Sequence, residues 1–183
     1  MKVIVFLATG FEETEAIATV DVLRRAGFYV TTVSITGEYD VTSAHNVTII
    51  ADTLFEETDF SNIDILVLPG GMPGAKNLKE HEGVRKLLVD FSKDTKKHIG
   101  AICAAPMVLG DLGILNGKKA TAYPGFENEL KGATYTAEAT TVDGRIITGK
   151  GPGFVFEFGL TLVEVLAGKE KREQVAKGLL FSK

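Results

Sequence analysis

HIGAICAAPMVLG, residues 98–110, changes at Cys103 from strand-forming to helix-forming residues, and Cys103 is the only cysteine in the chain. Ile99 to Ile102 is a short apolar run. The residues after it, Ala104, Ala105 and Pro106, suit a helix start, with proline tolerated in the first turn. A buried parallel strand feeding a helix reads this way. The same grammar recurs at Val3 to Ala8 and at Ile63 to Leu68, each followed by glycine, proline or small residues and then by a helical pattern.

Outward from these strands the remaining elements fall into place. FEETEAIATVDVLRRAGF (11–28) carries acids at its front, Arg24 and Arg25 at its back and Gly27 as a stop, in agreement with a helix and its dipole. Tyr29 to Ile35 completes a β-α-β unit. EYDVTSAHNVTIIAD (38–52) alternates without a helical period and predicts an antiparallel hairpin outside the parallel sheet. EGVRKLLVDFSKDT (82–95) is an amphipathic helix leading into the strand before Cys103, and TTVDGRIITGKGPG (140–153) holds a hairpin turning at Asp143-Gly144. After Pro152, FVFEFGLTLVEVLAG (154–168) puts Phe154, Phe158, Leu162 and Val165 on one helical stripe that Gly168 ends. The implied architecture is an α/β sandwich, a mostly parallel sheet with helices on both faces, in one domain over residues 1–183.

Composition narrows the function classes. The chain has 183 residues, 45% apolar and 24% charged, with no repeat, low-complexity tract or linker. No apolar run approaches the roughly 20 residues that span a bilayer, and MKVIVFLATG turns polar too soon for a signal peptide, which points to the cytoplasm and away from membranes. A net charge of -4 without Trp leaves no nucleic-acid footprint, so a small molecule is the expected partner. A single cysteine forms no internal disulfide and is free to be reactive, inert or paired with another chain.

Free cysteine is among the most buried residue types, and a small structural hydrophobe is one reading of Cys103. The other is a nucleophile: the residue lies just past the carboxyl end of a parallel strand, where open α/β sheets place ligands. A thiol at that junction faces unpaired N–H groups and the positive end of a helix dipole, which favour thiolate below the free pKa of about 8.5. The strand-turn-helix corner resembles a nucleophile elbow without the G-x-S-x-G pattern.

ATGFEETEA (8–16), VDVLRRAG (20–27), DILVLPGGMPGA (64–75), IGAICAAP (99–106) and GKGPGFVFEF (149–158), in this order over essentially the whole chain, resemble the ThiJ/PfpI superfamily, in the branch of the Parkinsonism-associated protein deglycase and bacterial ThiJ-like proteins. The resemblance implies a flavodoxin-like three-layer sandwich that forms a homodimer and needs no cofactor or metal. It makes Cys103 the nucleophile and redox-sensitive residue, and Glu15 the carboxyl group sharing a proton with it. Gly70 and Gly71 resemble the loop facing the thiol, whose amides, with that of Ala104, would hold an oxyanion. Two such acids in contact titrate jointly, the carboxyl staying protonated while the cysteine is charged.

Periodicity alone does not choose Glu15. With Ala16, Val20 and Leu23 facing the sheet, the nearest acids are Glu12 and Glu13, and all three acids also suit a helix N-terminus. Glu15 heads a second, small stripe with Ala18, Val22 and Ala26, as expected if the helix packs against something beyond its own sheet, such as a second subunit.

The histidines exclude other chemistry. Ala104 follows the cysteine where protease-like relatives have Cys-His, and no histidine follows His98 to serve an amidotransferase. His98 starts a strand that, at about 3.3 Å per residue, puts its Cα roughly 16 Å from that of Cys103, as a surface strand-end residue. His45 and His81 fall in polar, solvent-exposed segments. Tyr123 stands where animal relatives carry a histidine and is a poor base near neutrality, though it lines the expected pocket. PGGMPG (69–74) lacks both phosphate-loop spacings, and GKEKREQ (168–174) reads as a solvated helix start. The resemblance implies a glyoxalase or deglycase acting on methylglyoxal-type dicarbonyls, on a free aldehyde or a glycated substrate. The reading from a different class is a redox sensor or stress-response chaperone using the same thiol.

Overall fold

The computed structural model describes residues 1–181. β1 (Lys2–Leu7), α1 (Glu13–Arg25) and β2 (Tyr29–Ser34) form the expected β-α-β unit, the two strands pairing in parallel from Lys2↔Tyr29 to Leu7↔Ser34. Val3 to Leu7 is buried without a break, the mark of a strand covered on both faces. The hairpin of β3 (Asp40–Thr42) and β4 (Thr48–Ile50) stands apart as its own antiparallel sheet, and β5 (Thr53–Leu54) returns the chain to pair with β2. Then come β6 (Ile65–Leu68), α2 (Gly74–Glu80), α3 (Glu82–Lys93), β7 (His98–Ile102) and α4 (Pro106–Asp111). A small parallel pair, β8 (Lys119–Ala120) and β9 (Thr134–Tyr135), precedes the hairpin of β10 (Thr140–Asp143) and β11 (Ile146–Gly149), whose two-residue loop is Gly144-Arg145. α5 (Val155–Ala167) and α6 (Lys169–Gly178) end the described fold.

The main sheet runs β10-β11-β7-β6-β1-β2-β5, parallel except for β10. From β1 the chain first steps outward to β2, and later steps from β6 the opposite way to β7. Right-handed crossovers therefore put α1 and α3 on opposite faces. α1 packs with α5, and α5 with α6, while α2 packs with α3 and α4. The result is a flavodoxin-like three-layer sandwich. The direction change between β1 and β6 opens a crevice at the carboxyl ends of the strands, where Cys103 lies.

Two sequence expectations give way to packing. Of the α5 stripe, Phe158 and Leu162 are buried, but Phe154 sits in a 3-10 turn (Pro152–Phe154), 42% exposed, and Val165 is half-buried. Leu160, Val163 and Leu166 are buried as well, because α5 is covered by α1 and α6 besides the sheet and so needs more than one apolar face. On α1, the small stripe is consumed inside the protomer. A Cβ on Gly159 of α5 would come within 3.0 Å of Val22 Cγ1, so Val22 seats directly on that glycine. The large apolar residue that α1 leaves outside is Ile17, 43% exposed.

Candidate active site

Three segments, distant in sequence, meet around one sulfur atom. Cys103 follows the last residue of β7 with φ at 64°, a left-handed conformation that costs a non-glycine residue about 1–2 kcal/mol. Its N–H donates to the Gly149 carbonyl at 2.9 Å, and its carbonyl accepts from the Tyr123 N–H at 2.9 Å. β11 and the loop after β8 thus hold the strained residue from both sides, and strain persists where surroundings over-determine it. α4 begins at Pro106, three residues on, so Cys103 sits at a strand-to-helix corner.

Glu15, in the first turn of α1, is completely buried. Its Oε2 accepts from the Gly70 N–H at 2.7 Å, while the Gly70 carbonyl accepts from the Glu12 N–H at 2.9 Å, tying the loop after β6 to the start of α1. Oε1 is buried and receives no N–H or O–H donor. The Cys103 side chain is the carboxyl's other close neighbour, and the two influence each other's protonation. Gly70 is obligatory at this crossing: a Cβ there would lie 2.5 Å from Cys103 Cβ and 2.8 Å from Glu15 Oε2. Gly71, at φ +85°, turns its backbone so that its N–H, with that of Ala104, faces the Cys103 sulfur and favours its charged form. The Gly70 amide is engaged by Glu15 and does not join Gly71 and Ala104 at the sulfur.

The electrostatics reverse the expectation for the cysteine. Burial, then the negative charge of Glu15 and the hydrogen bond to it, push the thiol up to about 12, against the Gly71 and Ala104 amides. A helix start and two amides do not offset the desolvation of a thiolate beside a carboxylate. Burial likewise raises Glu15 to about 7, opposed by the Gly70 N–H and the thiol and reinforced by the charge of Glu12. The pair therefore resists carrying two negative charges, and near neutrality the carboxyl is poised to hold or release a proton.

No histidine is among the groups acting on the thiol. His98 is half-buried rather than on the surface; burial and the Arg145 charge push its pKa down, and its Nδ1 has no hydrogen-bond partner. His81 is not free either, since its Nδ1 caps α3 by accepting from the Val84 N–H at 3.1 Å. His45 is exposed, with Nδ1 2.9 Å from Glu13 Oε1. Glu12, Glu13 and His45 gather metal-competent donors within 4.8 Å of one another, although the N-terminus of α1 places positive partial charge beside them.

A cleft of about 250 Å³, lined by Tyr123, Pro124 and the 150–154 loop, opens next to the two segments whose backbones bond Cys103, though Cys103 itself does not line it. Tyr123, 45% exposed, forms part of its wall. Sequence reading overlooked two contributors here, Gly149, whose carbonyl fixes Cys103, and Lys150 at the cleft wall. Both lie in GKGPG, a stretch whose glycines signal close backbone approach.

The family comparison agrees with this geometry. The DJ-1/PfpI family pattern matches residues 1–165. "Protein DJ-1 homolog A" of Arabidopsis thaliana is 40% identical over 98% of this chain and 46% of its own length, so the chain spans about half of that plant relative. The "Glutathione-independent glyoxalase DJR-1.2" of Caenorhabditis elegans is 36% identical over 94% of this chain and 91% of its own. The crystal structure of Drosophila melanogaster DJ-1beta superposes with a TM-score of 0.95 at 40% identity, covering 100% of this chain and 98% of that one. With its sheet order, its strained cysteine after β7 and this match along nearly its whole length, the chain belongs to the DJ-1/PfpI family.

Proposed function

We propose that this protein is a cysteine-dependent, cofactor-independent glyoxalase acting on reactive dicarbonyls such as methylglyoxal, with removal of dicarbonyls from glycated groups as the same adduct chemistry. The observation that carries the reading is the fully buried Glu15 carboxyl held against Cys103 across Gly70, where a single added Cβ would touch both, with the Gly71 and Ala104 amides facing the sulfur. A thiol held protonated by a neighbouring carboxylate becomes a nucleophile by passing its proton to that carboxylate as the electrophile arrives.

Sulfur then bonds to the aldehyde carbon, and the proton on Glu15 goes to the aldehyde oxygen, giving a hemithioacetal. Glu15, again a carboxylate, removes the proton from the former aldehyde carbon and returns it to the neighbouring carbonyl carbon through an enediol. The first carbon is oxidised and the second reduced, so no external oxidant is needed. The product is a thioester of a 2-hydroxy acid, which water cleaves to lactate and the free thiol. Gly71 and Ala104 keep their donors at the position where charge passes from sulfur to oxygen.

The relative named a glutathione-independent glyoxalase supports this reading, as does a cleft sized for a small aldehyde. A homodimer is part of the proposal, with its contact moved from the small stripe of α1 to the exposed Ile17. The β3–β4 turn is held against the start of α1 by the His45–Glu13 contact. Among the described residues no helix is long and apolar enough to cross a membrane.

The deciding experiment is steady-state formation of lactate from methylglyoxal without glutathione, beside Cys103→Ala. Turnover that Cys103→Ala abolishes supports the proposal. An inactive wild type, or an active Cys103→Ala protein, overturns it.

A further inference from the structure

The cleft beside Cys103 is apolar along most of its wall, contributed by Tyr123, Pro124, Pro152 and Phe154, and carries one charged side chain, Lys150. Lys150 is fixed at both ends. Its N–H donates to the Ala139 carbonyl at 3.0 Å, and its Nζ donates to the Ala137 carbonyl at 3.0 Å while lying 5.9 Å from the Phe154 ring centroid. Five other lysines, Lys76, Lys79, Lys118, Lys131 and Lys169, lie within ion-pair distance of carboxylates. Lys150, like Lys2, Lys86, Lys93, Lys96, Lys97, Lys119, Lys171 and Lys177, has no carboxylate at that distance among the described residues, and of these it alone lines the cleft.

An unpaired ammonium half-covered by an aromatic ring retains two donors for an incoming acceptor. Its backbone follows directly on Gly149, whose carbonyl accepts the Cys103 N–H, so the cation is carried by the residue next to the one that holds the nucleophile's backbone. The chain as a whole carries a formal charge of -4 and repels anions, so a cation in the wall of this cleft locally reverses the protein's field. At roughly 30 Å³ per water, the cleft displaces about eight waters, enough for a ring or a short carbon chain beyond the reacting dicarbonyl.

We infer that Lys150 selects α-oxoaldehydes whose far end bears an anionic group, the apolar body lying between Tyr123 and Phe154 and the carboxylate or phosphate on Nζ. This rests on the glyoxalase reading for the reacting end, while the anion subsite stands on the cleft itself.

The test compares kcat/KM for phenylglyoxal and 4-carboxyphenylglyoxal in the wild type, Lys150→Met and Lys150→Arg. The preference for the anionic substrate is expected to fall about fivefold to tenfold in Lys150→Met, as for loss of one charge-assisted hydrogen bond, and to be kept in Lys150→Arg. Rising ionic strength should erode it in the wild type. An identical substrate ratio in wild type and Lys150→Met overturns the inference and leaves the glyoxalase reading standing. If neither substrate is turned over, the glyoxalase reading falls, and protection of Cys103 from iodoacetamide decides the subsite: 4-methylbenzoate must protect the wild type better than it protects Lys150→Met, with 4-methylbenzamide indifferent to the substitution. Equal protection by the benzoate in both proteins overturns the inference.

Discussion

Replacing Glu15 by Gln makes the fold's stability report on the buried proton. In the folded protein burial raises this carboxyl from 4.5 to about 7. Above the unfolded value the unfolded chain gives up the proton while the folded chain still binds it, so stability falls as pH rises. The loss begins near pH 4.5 and is complete above pH 7. At about 1.4 kcal/mol per pKa unit it amounts to about 3 kcal/mol, and the side chain is fully buried, so solvent screening does not reduce it. Glutamine is neutral throughout, keeps an oxygen for the Gly70 N–H and offers an N–H to the sulfur. The difference in unfolding free energy between Glu15→Gln and wild type is therefore expected to rise by about 3 kcal/mol in favour of the variant from pH 4.5 to pH 8. Urea unfolding followed by circular dichroism across that range measures it. The same substitution removes the charge that opposes the thiolate, so Cys103 should be alkylated faster at pH 8 than in the wild type. A difference that stays flat with pH, or one that favours the wild type as pH rises, would refute the placement of a raised carboxyl at Glu15.

Cys103→Ser should retain the fold and lose dicarbonyl turnover, because no histidine stands beside residue 103 to activate a hydroxyl; lactate release measures it, and casein should remain uncut by the wild type. Gly70→Ala forces a methyl group to 2.5 Å from Cys103 Cβ and 2.8 Å from Glu15 Oε2, which must separate the two groups. Its kcat/KM for methylglyoxal should drop about a hundredfold, the scale of a 1 Å misplacement, with folding followed separately by circular dichroism. Ile17→Glu changes a residue 43% exposed in the protomer, so the folded spectrum should persist while light scattering at micromolar concentration shifts to the monomer mass; an unchanged dimer would move the contact elsewhere. Dilute peroxide at pH 8 should oxidise Cys103 more slowly in the wild type than in Glu15→Gln, read by mass spectrometry, because burial and the Glu15 charge hold the wild-type thiol protonated.

Much of the fold is legible in short segments. The unbroken apolar runs of β1 and β6 and the dipole-matched helix of α1 form as their sequences predict, and the β10–β11 hairpin forms with its loop shifted one residue, to Gly144-Arg145 with Asp143 in the strand. The two-residue strands β5, β8 and β9 are not legible in this way, because so short a pair is fixed by the neighbour it meets rather than by its own pattern.

The site divides along the same line. The sequence places Cys103 at a strand-to-helix corner and Glu15 near a helix start, and those positions follow from local periodicity and family likeness. What surrounds them is tertiary. A local argument from the helix dipole makes the cysteine acidic, yet the folded chain buries it against Glu15 and raises its pKa instead. The PGG loop reads as a set of amide donors, yet the Gly70 N–H is taken by a carboxylate from another element. The small stripe of α1 is apolar as periodicity requires, but Gly159 on a distant helix covers it, leaving Ile17 outside. Periodicity tells which face of an element is apolar because that depends on residues three or four apart. What covers the face, and how much water a charged group loses, depends on segments far away in the chain, and only their packing decides it.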